Sequence, residues 1–128
     1  MQHHVLIIED EPAILLSVRT TLERAGYLVE SAADGVEGLE KVRSSKPHLV
    51  ILDILLPKLN GLDLLSTMKG DDVLRTIPVM IFSNVDRPED VERAKSLGAV
   101  DYVLKANVSI DDISRKVAQH LAEHGKHT

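Results

Sequence analysis

The chain has no cysteine and no tryptophan, and its only aromatic residues are two tyrosines and one phenylalanine. Without cysteine there is no disulfide scaffold, no thiolate metal site and no cysteine nucleophile, so any chemistry must come from oxygen and nitrogen. Tyr27, Phe82 and Tyr102 are too few, and the basic residues too scattered, to build the aromatic-interleaved cationic surface that reads nucleic acid. The charge balance runs the other way: 15 Lys and Arg against 20 Asp and Glu give a formal net charge of −5. No apolar run is long enough to cross a bilayer, and the N-terminus lacks a basic stretch followed by an apolar signal segment. The expectation is a cytoplasmic protein with no membrane contact and no direct nucleic-acid contact.

What is present is a globular balance of 44% hydrophobic and 27% charged residues over 128 positions, enough for one domain with a full core. Residues 1–128 read as a single unit, with a core over about 4–122 and a polar, frayed tail over 123–128. Two apolar patterns alternate along it. Short runs rich in Val, Ile and Leu cover His4 to Ile8, Tyr27 to Ala32, His48 to Leu52, Val79 to Phe82 and Tyr102 to Leu104. Between them lie stretches with helical spacing: Pro12 to Ala25, closed by Gly26; a segment opened by Asp34; one beginning near Gly61; and one from about Pro88 to Leu97, stopped by Gly98. Ser109 with Asp112 three residues later starts a fifth through Val117 and Leu121. This alternation predicts an α/β fold, a (βα)5 doubly wound, five-stranded parallel sheet with strand order 2-1-3-4-5.

In such sheets ligands bind beyond the carboxyl ends of the strands. The residues there are Glu9 and Asp10 after the first run, Asp53 after the third, Ser83 after the fourth and Lys105 after the fifth. Three carboxylates meeting at one point need a cation, and hard oxygen donors left partly hydrated suit Mg²⁺. A carboxylate, a divalent ion, a hydroxyl and an ammonium match the needs of phosphoryl transfer. Asp53 is the candidate nucleophile because it ends the central run "HLVILD" and precedes the turn-rich loop "ILLPKLNG". A plainer reading competes: acids before a helix-starting proline, as in "EDEP", commonly serve the helix end. His120 and His124 have the spacing of a metal pair, but the sequence specifies no third ligand, and an exposed helix end is expected there.

Taken together, these residues resemble the receiver domain of two-component response regulators, over nearly everything from Val5 to Leu121. The resemblance implies a phosphorylation-dependent switch, with Asp53 accepting the phosphoryl group from a sensor histidine kinase or phosphotransfer protein. It implies Mg²⁺ held by Asp10, Asp53 and the backbone carbonyl of Leu55, with Glu9 assisting through water. Ser83 and Lys105 match the family's hydroxyl and lysine, Tyr102 matches its switch aromatic, and Pro57 and Gly61 match the proline and glycine after the phosphoacceptor. The output would be a changed surface on the fourth helix, fifth strand and fifth helix, read by an unknown downstream protein, with the chain a monomer or a phosphorylation-dependent dimer. It would catalyse only its own phosphorylation and dephosphorylation, not turnover of an external substrate.

The chain departs from the family pattern at several places. Glu9 replaces the commoner aspartate, and Asn84 stands where a small alanine is usual. Ala106 replaces a proline that normally follows a cis bond, which before alanine would cost about 3 kcal/mol, so either the bond is trans and the loop carrying Lys105 shifts, or it stays cis under strain. Leu55 and Val85 are both apolar, which predicts slow spontaneous dephosphorylation. A pseudo-receiver that uses its helical surface without phosphorylation is the alternative function. A phosphatase or nuclease would need a second acid two residues after the nucleophile, where Leu55 stands.

Overall fold

The computed structural model describes residues 2–124; Met1 and residues 125–128, which include most of the expected tail, lie outside the described residues. Five strands, β1 (His4–Ile8), β2 (Leu28–Ala32), β3 (Leu49–Leu52), β4 (Val79–Ser83) and β5 (Asp101–Leu104), form one sheet in the order β2-β1-β3-β4-β5. All four pairings are parallel. The connecting helices are α1 (Pro12–Arg24), α2 (Gly35–Ser45), α3 (Gly61–Lys69), α4 (Pro88–Ser96) and α5 (Ile110–His124). The expected architecture and strand order hold.

Side chains alternate across a strand, and here both faces are covered, which is why the strands read as unbroken apolar runs. Leu6 and Ile8, Val50 and Leu52, Val79 and Ile81 pack on one face with Val42 of α2, Leu62, Leu65 and Met68 of α3 and Ala94 of α4. Their neighbours Val5 and Ile7, Leu49 and Ile51, Met80 and Phe82 pack on the other with Val18 and Leu22 of α1 and Ile113, Val117 and Leu121 of α5. Every one of these residues is buried.

Local chemistry sets the helix limits. Asp34 caps α2 by accepting from the Glu37 N–H at 2.8 Å, and Asn60 caps α3 by accepting from the Leu62 N–H at 2.8 Å. Ser109 and Asp112 form the predicted reciprocal cap of α5: each side chain accepts from the other's N–H, at 3.1 and 3.0 Å. Gly26 and Gly98 follow α1 and α4 with φ of 98° and 96°, a conformation that glycine adopts without steric cost. Two features differ from the sequence reading, and one choice that it left open is decided. Short 3₁₀ turns cover Leu74–Thr76 and Lys105–Asn107, and α5 continues to His124, through the first residues expected to fray. No cis peptide bond occurs among the described residues, so the Lys105–Ala106 bond is trans.

Candidate functional site

The apolar strands end where the backbone leaves the sheet, and the residues that follow are polar. Neighbouring β1 and β3 pair Ile8 with Leu52, so Glu9 and Asp53 emerge side by side. The Asp53 N–H still donates to the Ile8 carbonyl at 3.1 Å, which extends the ladder one step. Ser83, the last residue of β4, pairs with Leu104, and Lys105 follows directly. Register alone therefore delivers two acids, a hydroxyl and an ammonium to one edge of the sheet.

The helix-capping explanation of "EDEP" fails. Glu11 occupies the N-cap position of α1, yet its side chain makes no capping hydrogen bond, and no acid lies in the first turn. Glu9 instead folds its Oε2 back to accept from the Glu11 N–H at 3.1 Å. Asp10 and Glu11 line a cleft of about 240 Å³ together with Asp53, Leu55, Ser83, Asn84 and Lys105.

One carboxylate oxygen from each of Glu9, Asp10 and Asp53 lies within 4.8 Å of the other two. Glu9 and Asp53 are only 2% and 5% exposed, so their charges are poorly hydrated, while Asp10 faces solvent. Lys105 compensates part of this charge: its Nζ lies 2.7 Å from Glu9 Oε1, 2.9 Å from Asp53 Oδ2 and 3.5 Å from Glu11 Oε1. The ammonium also sits 5.7 Å from the centre of the Phe82 ring. A trans bond at Ala106 thus does not keep the lysine from the acids.

The electrostatics follow from burial and pairing. Burial pushes the Glu9 carboxyl above its usual range, against the pull of Lys105. Burial would lower the Lys105 ammonium, but Glu9 and Asp53 outweigh it and hold it above its ordinary value. Glu9 Oε1 is buried and meets the Lys105 ammonium at 2.7 Å. Two buried carboxylates that share one ammonium, beside the exposed carboxylate of Asp10, leave negative charge that fits a cation that prefers oxygen ligands and keeps some of its waters.

The hydroxyl and the aromatic belong to one chain of hydrogen bonds. Ser83, wholly buried, accepts from the Val85 N–H at 3.2 Å, and the Val85 carbonyl accepts from the Tyr102 hydroxyl at 2.5 Å. Tyr102 does not line the cleft; it packs against the α2, α3 and α4 side of the core. Its phenol is pushed up to about 12, first by burial and then by the charges of Asp90, Asp53 and Asp86, so it stays a neutral donor.

Every side chain expected at the strand ends is found around the cleft, and Glu11 joins them. The "EDE" run signalled a third acid, but a sequence cannot say that an N-cap side chain has turned away from its helix. His120 corrects an expectation: it is 5% exposed, not part of an open helix end, because it lies on the buried face of α5 with Val117 and Leu121, where Asp101 of β5 is 2.8 Å from its Nε2.

Comparison with known proteins agrees with this geometry. The family model described as "Response regulator receiver domain" matches residues 5–118. The alkaline phosphatase synthesis transcriptional regulatory protein PhoP of Bacillus subtilis is 34% identical over 105 residues, 82% of this chain and 43% of that protein. The DNA-binding dual master transcriptional regulator RpaA of Synechocystis is 36% identical over 101 residues, 79% of this chain and 42% of that protein. The crystal structure of a CheY-like response regulator receiver domain protein from Methanospirillum hungatei superposes with a TM-score of 0.92 at 30% identity, covering 100% of both chains. The chain thus spans about two-fifths of the length of the curated relatives it matches.

Proposed function

Because this chain belongs to the response regulator receiver domain family of two-component signalling, we propose that Asp53 is its phosphoacceptor and that the cleft at the strand ends is where phosphorylation is sensed. The observation that carries this reading is the gathering of the Glu9, Asp10 and Asp53 carboxylates within 4.8 Å, with Lys105 set against two of them.

In the transfer, a carboxylate oxygen of Asp53 attacks the phosphorus of a partner's phosphohistidine. The new O–P bond forms as the N–P bond breaks, and its electron pair returns to the imidazole. Asp10, Asp53 and the Leu55 carbonyl would hold Mg²⁺, and Glu9 would accept a hydrogen bond from one of its waters. When bound, the ion offsets the negative charge on the phosphoryl oxygens. Lys105, already 2.9 Å from Asp53 Oδ2, turns to the added oxygens. Ser83 has its Oγ lone pair on the Val85 N–H and its own hydrogen left to donate, so it moves toward the phosphoryl group as well.

That movement reaches the surface through Val85, whose N–H is bound to Ser83 and whose carbonyl is bound to Tyr102. Drawing Ser83 inward pulls this loop residue and with it the phenol, which shifts the balance between two arrangements of the face formed by α4, β5 and α5. The donor is a histidine kinase or phosphotransfer protein in the cytoplasm, and the target is a protein that reads this face. The chain turns over no external substrate. A pseudo-receiver reading has no observation in its favour, since the acids, hydroxyl and lysine are all present.

The test is incubation with Mg²⁺ and a small phosphodonor such as acetyl phosphate, followed by intact mass measurement. The wild-type chain gains one phosphoryl group and Asp53→Asn gains none. A wild-type chain that never gains mass, or an Asp53→Asn chain that gains as much, overturns the assignment.

A further inference from the structure

The last turn of α5 carries side chains that the phosphoryl cleft does not use. His120, Glu123 and His124 each offer a ligand atom within 4.8 Å of the others. The two imidazole rings stack with centroids 5.8 Å apart and planes 22° apart, and Glu123 Oε2 lies 3.6 Å from His124 Nε2. Glu123 is exposed and His124 partly so, which leaves the cluster open to solvent on one side.

His120 distinguishes this group from an ordinary polar helix end. Its Nε2 lies 2.8 Å from Asp101 Oδ2, and a carboxylate at neutral pH only accepts, so Nε2 carries the proton. In the neutral ring Nδ1 then holds the lone pair, and this atom is buried with no hydrogen-bond partner among the described residues. A histidine fixed by a carboxylate at one nitrogen, with the other nitrogen left as a bare donor, is the arrangement by which proteins aim an imidazole at a metal.

We propose that His120 Nδ1, Glu123 and His124 bind a divalent transition-metal ion, with Asp101 as the residue that positions His120. Two imidazoles and one carboxylate with a fourth position open to water are a donor set for Zn²⁺. Mg²⁺ prefers oxygen ligands and gives up its waters reluctantly, so it does not compete there. Asp101 opens β5, whereas the phosphoryl cleft follows the strand ends, so the two sites stand at opposite edges of the sheet. Asp101 also accepts from the Tyr102 N–H through Oδ1 at 2.8 Å. Metal bound to α5 therefore tightens the seam between α5 and β5 beside the aromatic of the proposed switch, although the site itself does not depend on that switch.

The experiment is a calorimetric Zn²⁺ titration of the 128-residue chain with Mg²⁺ in excess, repeated in an Asp10→Asn, Asp53→Asn background that removes carboxylates of the cleft. ¹⁵N spectra of the imidazole rings are recorded alongside. One Zn²⁺ binds per chain in that background, the His120 Nδ1 signal moves, and Nε2 keeps its proton. His124→Ala, a partly exposed position that leaves the core untouched, weakens binding at least about tenfold. Asp101→Asn weakens it by about 10- to 100-fold, the usual loss when a metal-bound histidine loses its carboxylate. Unchanged affinity in His124→Ala, or Zn²⁺ binding that leaves His120 Nδ1 unmoved, overturns the proposal.

Discussion

Leu55 stands at the mouth of the cleft with 66% of its surface exposed, and Val85 lines the route to Tyr102 with both of its backbone polar groups engaged. Neither side chain has an atom that can orient or deprotonate water. An acyl phosphate on Asp53 therefore faces hydrolysis without a positioned proton acceptor, and its lifetime is expected to be long. Leu55→Asn or Val85→Glu should shorten it by about 10- to 100-fold, at or below the low end of what a placed acid–base group supplies. The check is decay of the phosphorylated mass with Mg²⁺ present, and a wild-type half-life no longer than that of both variants would falsify the expectation. At this scale the sequence was legible where a polar residue directly follows an apolar run, as for Asp53 and Lys105. It was illegible where a distant partner decides the outcome. Helical spacing puts His120 on the buried face with Ile113, Val117 and Leu121, but nothing near it names the carboxylate that holds its ring, which belongs to another element, 19 residues earlier.

At the scale of elements, the start of α3 supports the phosphoacceptor from behind. A Cβ built on Gly61 would lie 2.1 Å from the Asp53 carbonyl oxygen and 2.8 Å from the Ile54 Cα, both backbone atoms that cannot swing aside. The Gly61 N–H also donates to the Ile54 carbonyl at 2.8 Å, so helix and loop are pinned at one point. Gly61→Ala must push the two apart, at a cost of about 1–3 kcal/mol for an overpacked site, and displaces Asp53 as it does so. Asn60→Ala removes the cap of the same helix, for about 1 kcal/mol, without adding an atom against Asp53. Urea unfolding should show both losses, while phosphorylation by acetyl phosphate slows markedly only in Gly61→Ala; equal slowing in the two would sink this account. Most helix starts could be read from their caps, Asp34, Ser109 and the prolines of α1 and α4, because capping is a matter of near neighbours. The 3₁₀ turn at Leu74–Thr76 could not, since three residues carry no periodicity.

Across the whole molecule, acid stability depends on carboxylates whose partners exist only in the fold. Backbone N–H groups hold Asp34, Asp71 and Asp112 below the usual aspartate value, chiefly those of Glu37, of Leu74 and of Ser109. For Asp101 burial alone would raise the value, but the His120 hydrogen bond, the Lys116 charge and the Tyr102 N–H together bring it below. Each of these groups ionises more readily folded than unfolded, so its stabilisation is complete above the unfolded value of 3.8 and is lost as pH falls through the lower folded values. Glu9 runs the other way. Raised above 4.5 by burial, it takes up a proton sooner in the fold, so it adds stability as pH falls toward 4.5, before the aspartates begin to lose theirs. Urea midpoints measured in a chelating buffer should fall below about pH 4, where the four aspartates lose the charge that their partners hold. Glu9→Gln removes the group that gains, so its midpoint should lack any rise as pH falls toward 4.5, while both chains drop below about pH 4. A midpoint that stays level down to pH 3 would show that the caps and the Asp101 contacts do not govern acid unfolding.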